Sequence, residues 1–286
     1  MHKMFDLLKT QYRIIFDGAM GTELQKRGLT DDPALLNLTA PEHIIDIHRE
    51  YLQAGADILT ANTFGAYIHK HSNAAEIIKA AVSHGRTALA GAKSKWLALD
   101  LGPTGLMLEP YGDTSTDECR RIFHEAVQVG VVCGVDLILI ETMMDLTELR
   151  LAVEAAKETG LPVIATMSFD KNGRTMMGAT IDDMVQLLEE LEVDALGMNC
   201  GFGPDVYAPL TAELSKKTKL PIIVQPNAGM PLAAGATKDA GGTGKIIYDL
   251  TVDDFVKTMA SMNVKIMGGC CGTGPEHIAA LVKRFK

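Results

Sequence analysis

Positive charge, aromatic residues and long apolar runs are all scarce in this chain of 286 residues. Lys and Arg number 27 against 36 Asp and Glu, a formal charge of −9. A surface of that sign repels a phosphate backbone or an anionic bilayer, which argues against nucleic acid and membrane as partners. No stretch approaches the roughly 20 uninterrupted apolar residues of a membrane helix. The opening Met1-His-Lys-Met-Phe-Asp lacks the apolar core of a signal peptide, so the expected compartment is the cytoplasm. Five cysteines, an odd number, speak against a disulfide framework and for thiol or metal chemistry. No linker, charge block or low-complexity tail divides the chain, and residues 1–286 are expected to form a single domain.

What is present is alternation. Short apolar runs are read as strands at Tyr12–Asp17, Asp57–Thr63, Trp96–Asp100, Asp136–Glu141, Val163–Ser168, Ala195–Asn199, Ile222–Pro226 and Val264–Gly268. They are continuously apolar, which suits parallel strands buried on both faces. Helical period marks Glu42–Ala54, Ala74–Ala90, Asp117–Val132, Leu146–Glu158, Asp182–Leu191, Pro204–Lys216, Val252–Met262 and Glu276–Phe285. Several of these open with a helix-start residue, such as Thr180 or Thr251. A phrase recurs ahead of four strands: AGADILT, CGVDLIL, EVDALGM and, more loosely, MNVKIMG. Eight strand–helix units fit a closed (β/α)8 TIM barrel or an open doubly wound sheet. The open dinucleotide-binding sheet wants G-x-G-x-x-G after its first strand, and Asp17-Gly-Ala-Met-Gly-Thr stands there, which favours the α/β barrel. One connection, Ala228–Leu250, is long and rich in Gly and Ala, and is expected to be a lid or docking loop.

Barrels of this kind carry their chemistry at the carboxyl ends of the strands. Cys200 follows the sixth strand, and Cys270 and Cys271 follow the eighth between glycines. Three thiolates with a fourth position open suit zinc, and the glycines let adjacent cysteines turn toward one ion. The alternative is inert buried thiols beside a tight turn. Cys119 and Cys133 fall on a helical stretch and are read as packing residues. Asp17 and Glu141 each close an apolar strand, where a charge needs a partner or a wet rim. Such a pair can hold a substrate ammonium group, or each can cap the following loop. Backbone amides at Gly18 and Thr63 can face a carboxylate, as can those of almost any turn. Asp100 reads as structural, His43, His48, His69 and His71 as surface or cap residues, and Met143-Met144 and Met176-Met177 as core filler.

Taken together, these motifs resemble the homocysteine S-methyltransferase family over nearly the whole chain. The similarity runs from Phe16-Asp-Gly-Ala-Met-Gly-Thr-Glu to Gly268-Gly-Cys-Cys-Gly-Thr-Gly-Pro-Glu-His. Thr60-Ala-Asn-Thr-Phe-Gly, Asp100-Leu-Gly-Pro-Thr-Gly, Glu141-Thr, Met198-Asn-Cys-Gly and Gln225-Pro-Asn-Ala-Gly lie between in family order. The chain looks most like the homocysteine-binding module of cobalamin-dependent methionine synthase. The resemblance implies a zinc ion on Cys200, Cys270 and Cys271. It implies that Asp17 and Glu141 face the homocysteine ammonium, that amides at Gly18 and Thr63 face its carboxylate, and that Asn227 lies near the metal. Zinc would keep the substrate sulfur as a nucleophilic thiolate, which then attacks a methyl group.

The resemblance leaves the donor open. Folate- and cobalamin-binding modules would follow in a complete synthase, and this chain ends at Lys286. The expected donor is methylcobalamin on a separate corrinoid protein or a small sulfonium, S-methylmethionine, unless the chain is a fragment of a longer synthase. Betaine is disfavoured, because Asn62-Thr-Phe-Gly-Ala offers one Phe and the single Trp, Trp96, begins the third strand, too little for an aromatic cage. Two rival readings stand beside this one. In the first, Gly268-Gly-Cys-Cys-Gly is an amide nest for a phosphorylated substrate and no zinc is bound. In the second, the chain is a non-catalytic zinc-binding subunit of a methyl-transfer complex.

Overall fold

A computed structural model describes residues 8, 10, 12–232 and 247–286. Its eight parallel strands are β1 (Ile14–Ile15), β2 (Ile58–Thr60), β3 (Trp96–Leu101), β4 (Leu137–Met143), β5 (Val163–Met167), β6 (Ala195–Asn199), β7 (Ile222–Gln225) and β8 (Ile266–Met267). They neighbour one another in the order β1-β8-β7-β6-β5-β4-β3-β2. A parallel bridge from Phe16 to Ile58 and the hydrogen bond from Asp57 N to Ile15 O (2.6 Å) join β1 to β2. The result is the expected (β/α)8 barrel.

Helices wrap the cylinder as α3 (Pro41–Ala54), α4 (Ala74–Ala88), α5 (Thr116–Val132), α6 (Leu146–Lys157), α7 (Ile181–Glu190), α8 (Pro204–Lys217), α9 (Val252–Ser261) and α10 (Pro275–Phe285). Thr180 and Thr251 cap α7 and α9 through the amides of Asp183 and Asp254, as their sequence suggests. Two short helices escape the periodicity reading: α1 (Met20–Lys26) and α2 (Pro33–Thr39). At seven residues each they offer barely two turns of pattern. The local signal for α2 is Asp32, whose side chain accepts from Ala34 N ahead of Pro33.

The recurrent phrase has a physical use. In AGADILT, CGVDLIL and EVDALGM the acid sits just before the strand and clasps the start of the preceding one. Asp57 N donates to Ile15 O while its Oδ2 accepts from Ile15 N (3.0 Å). Asp136 does the same to Leu97 and Asp194 to Val163, each with both contacts at 2.8 Å. The looser copy has Lys265 there, which turns to β1 instead: its carbonyl accepts from Ile14 N (3.0 Å) and its Nζ donates to the carbonyls of Thr10 and Tyr12.

Both faces of the strands are buried, as continuous apolar runs demand. Ile14, Phe16, Ile58, Ala98, Leu139, Ile164 and Ile223 belong to one cluster, and the alternate residues pack in the larger cluster with the helices. Two residues further along the strands, on the same face, the chemistry changes to Thr60, Asp100, Glu141, Thr166 and Gln225. The apolar plug therefore ends in a polar layer at the carboxyl rim.

Two minor expectations change. His48 is fully buried, because it shares the inward stripe of α3 with Ile44, Ile47 and Tyr51. Met176 and Met177 are exposed on the loop after β5, while Met143 is core. The two helical cysteines pack as expected: Cys119 is buried, and Cys133, the cap residue after α5, is half-buried against the core. No helix among the described residues is long and apolar enough to cross a membrane.

Candidate metal centre and substrate cavity

The polar layer floors a cavity of about 550 Å³ at the carboxyl ends of the strands, within the range of small-molecule sites. Asp17, Gly18, Asn62, Asp100, Glu141, Cys200, Gln225, Cys270 and Cys271 all line it. Lys70 is the sole basic residue of that lining among the described residues.

Cys200, Cys270 and Cys271 converge, with their sulfurs all within 4.8 Å of one another and those of Cys270 and Cys271 3.9 Å apart. Zinc–sulfur bonds of about 2.3 Å in a tetrahedron put sulfurs roughly 3.8 Å apart, so the donor set fits a zinc ion with small adjustment. The backbone fixes the three in place. Cys200 N donates to Gln225 O (3.0 Å), Cys270 N to Pro226 O (2.8 Å), and Ala228 N to Cys271 O (2.9 Å). Tyr207, buried on α8, donates its hydroxyl to the carbonyls of Asn199 (3.0 Å) and Cys200 (2.6 Å). Hydrogen bonds from Cys200 and Cys270 draw the Cys271 thiol down to about 3, so the cluster already favours a thiolate. Tyr248, packed against Gly272, adds a further hydrogen bond to Cys271.

The carboxyl side is built differently. Asp17 is buried and accepts from Thr60 N (2.7 Å) and the Thr60 hydroxyl (2.8 Å). Desolvation outweighs those bonds and pushes its carboxyl up to about 7. Desolvation, then the charge of Asp17, pushes Glu141 up to about 8. Asp100 is raised as well, by burial and then by Glu141 and Asp17.

Strain accompanies this arrangement. Thr142 and Cys200, neither of them glycine, have φ of +60° and +58°. Such positions cost on the order of 1–3 kcal/mol and persist only when neighbours over-determine them. Asn199 supplies the restraint: its Oδ1 accepts from Thr142 N (2.7 Å) and the Thr166 hydroxyl (2.7 Å), and its Nδ2 donates to Thr142 Oγ1 (2.8 Å). The residue before Cys200 thus holds the residue after Glu141.

Two further residues named from the sequence lie just outside the lining. Thr63 is buried, its N–H donates to Ala61 O (2.7 Å), and its hydroxyl donates to Asp100 O (2.8 Å). Asn227 is buried after β7, its N–H donates to Phe202 O (2.9 Å), and its Oδ1 has no partner. Gly18 cannot be replaced, since a Cβ there would come within 2.8 to 3.0 Å of Thr273 and the Tyr51 hydroxyl. Most amides of the Gly268–Gly272 segment are taken up inside the protein. Amides of Gly268, Gly269, Cys270, Gly272, Thr273 and Gly274 all donate to groups within the protein. Sequence reasoning missed Thr60 and Tyr207, which carry no local signal, and the cavity position of Asp100. Asp100 did carry one, since it closes an apolar strand just as Asp17 and Glu141 do. From the described ends of the Ala228–Leu250 connection, Leu232 N donates to Ile247 O (2.7 Å) and Leu250 N to Ala228 O (3.2 Å). The expected lid at residues 233–246 lies outside the described residues.

A thiol triad with the spacing of a metal site and a group of carboxyls face one cavity at the carboxyl rim of the barrel. The homocysteine S-methyltransferase family profile matches residues 14–285, and the chain belongs to that family. It is 31% identical to the methionine synthases of Mycobacterium tuberculosis and Mycobacterium leprae, over 99% and 98% of its own length. It spans about a quarter of the length of these relatives, 26% and 25%. Its fold matches the metallated form of the homocysteine methyltransferase MmuM from Escherichia coli with a TM-score of 0.77 at 25% identity, covering 98% of both chains. The apo form of that enzyme matches with a TM-score of 0.74.

Proposed function

We propose that this chain transfers a methyl group to the thiol of homocysteine, giving methionine, with one zinc ion on Cys200, Cys270 and Cys271. The observation that carries the reading is the convergence of three sulfurs from two strand ends on a cavity that also holds buried carboxyls. The bound metal supplies Lewis acidity that keeps the substrate sulfur deprotonated near neutral pH.

The protein's own residues orient the substrate. Asp17 and Glu141 accept hydrogen bonds from the homocysteine ammonium, whose charge offsets the desolvation that raises both carboxyls. The Gly18 amide faces the substrate carboxylate, with Thr63 fixing the adjacent loop through Asp100 O. Asn227, whose buried Oδ1 has no hydrogen-bond partner, would be available as an oxygen ligand to the metal. Tyr207 and Asn199 hold Cys200 so that the substrate sulfur and the methyl donor meet in line. In the transfer the new S–CH3 bond forms as the donor–CH3 bond breaks, and that bonding pair leaves with the donor.

The donor is methylcobalamin carried by a separate corrinoid protein, or S-methylmethionine. Residues 1–286 act as one homocysteine-binding unit, and the unpaired thiols suit a reducing cytoplasm. The test is zinc content and homocysteine methylation, with either donor, for wild type and Cys271→Ser. About one zinc per chain, lost in the variant together with transfer, supports the reading. A wild type purified under reducing conditions without zinc overturns it.

A further inference from the structure

The homocysteine reading leaves Asp100 without a task. It closes β3, lines the cavity and is only 6% exposed, yet its Oδ1 is buried with no hydrogen-bond partner. Its backbone is firmly placed, since Asp100 N donates to Thr63 Oγ1 (3.0 Å) and the same hydroxyl donates to Asp100 O (2.8 Å). The charges it feels are those of Glu141 and Asp17, both acidic. A carboxyl in that position stabilises nothing in the protein itself: it is desolvated, unpaired and beside like charges. A packing role would be served better by an apolar side chain, as at Ala98 two residues earlier on the same face. Its unpaired Oδ1 is therefore left to accept from a donor that a ligand in the cavity brings.

The spacing argues against a metal ion held by these carboxyls. The three cysteine sulfurs fall within 4.8 Å of one another, and the carboxyl oxygens of Asp17, Asp100 and Glu141 form no such cluster. A divalent ion binding oxygen at about 2.0–2.6 Å needs a tighter set. A primary ammonium has three N–H donors and longer contacts, near 2.9 Å. Asp17, Asp100 and Glu141 line one cavity and offer it acceptors from the ends of β1, β3 and β4. We propose that Asp100 is the third acceptor for the substrate's primary ammonium, beside Asp17 and Glu141, and that it makes the site selective for a free, unsubstituted amino group. The proposal rests on the homocysteine reading. A site built to satisfy a polar group rejects analogues that lack it, because its own buried groups are then left unpaired.

The test is calorimetric binding of L-homocysteine and of 4-sulfanylbutanoate, its analogue without the amino group, to zinc-loaded protein. Wild type, Asp100→Asn and Asp100→Ser are compared, with zinc content as a control. In both variants the Kd for homocysteine is expected to rise about 30-fold or more. The Kd for 4-sulfanylbutanoate is expected to change less than threefold, and zinc content to stay constant. The preference for the amino compound then collapses by the same factor. Asp100→Ser keeps the measurement available if the Asn variant fails to fold. A wild-type preference retained in either folded variant overturns the proposal alone. Zinc-loaded wild type that binds neither thiol overturns the homocysteine reading and the proposal with it.

Discussion

Around the mouth of the barrel, the arc of strands β6 and β8 ends in sulfur, and the arc of β1, β3 and β4 ends in carboxyl groups. Both lie at the same rim, the thiols and Glu141 half-buried and Asp17 and Asp100 buried, and they are held in opposite ways. The thiols are fixed through their backbone, by Gln225 O, Pro226 O and the Tyr207 hydroxyl, which leaves the sulfurs to face one another. The carboxyls are fixed less uniformly: Asp17 is doubly bonded to Thr60, while Asp100 keeps an unpaired oxygen. A set of close, soft donors is ready for one small ion. A spread of hard acceptors is ready for a larger cationic group. Asn199 ties the arcs together, since it precedes Cys200 and restrains Thr142 beside Glu141.

The comparison breaks most sharply at Cys200. Cys200→Ser is expected to lose the metal and to lower methyl transfer by about 1000-fold or more, measured as zinc content and initial rates. Removing the metal from wild type with a chelator should have the same effect, reversed by adding zinc. A substitution in the other arc separates the two functions. Glu141→Gln should keep full zinc content while the KM for homocysteine rises about 30-fold. Loss of zinc in that variant would show that the arcs are not independent.

Asn199→Ala should disturb both arcs moderately. Zinc affinity is expected to fall about 10-fold, as for other residues that orient metal ligands, and the KM for homocysteine to rise in parallel. The smallest effect concerns pH. Asp17 and Glu141 are raised from the ordinary carboxylate range to about 7 and about 8 in the folded protein. The folded state therefore binds more protons than the unfolded one between the two ranges. Their contribution to stability is present in full below about pH 4 and is lost as pH rises through 7 to 8. In the presence of a chelator, Tm should fall from pH 5 to pH 8.5 in wild type, and the slope should flatten in Asp17→Asn/Glu141→Gln.

Much of the barrel was legible because parallel strands buried on both faces leave continuous apolar runs, as at Leu137–Ile140. The short α1 and α2 were not, because seven residues hold too little period to read. The thiols were legible because Cys270 and Cys271 stand adjacent between glycines after a strand. The place of Asp100 in the cavity was not legible, although it closes an apolar run as Asp17 does. Nothing in Asp-Leu-Gly-Pro tells whether a carboxylate will find a partner once folded. His48 shows the same limit in reverse, as an ionisable side chain that helical phase carried into the interior.

Local chemistry along the chain determined the strand–helix alternation, the caps at Thr180 and Thr251, and the residue types at each strand end. These depend on neighbours within a few positions, and short-range forces suffice to express them. Closure of the barrel decided the rest. Only when β1 meets β2 and β8 do residues as distant as Asp17, Asp100, Glu141, Cys200 and Cys270 share one cavity. Which of them are paired, strained or left open is set by that closure, because burial removes the water that would otherwise satisfy them all alike.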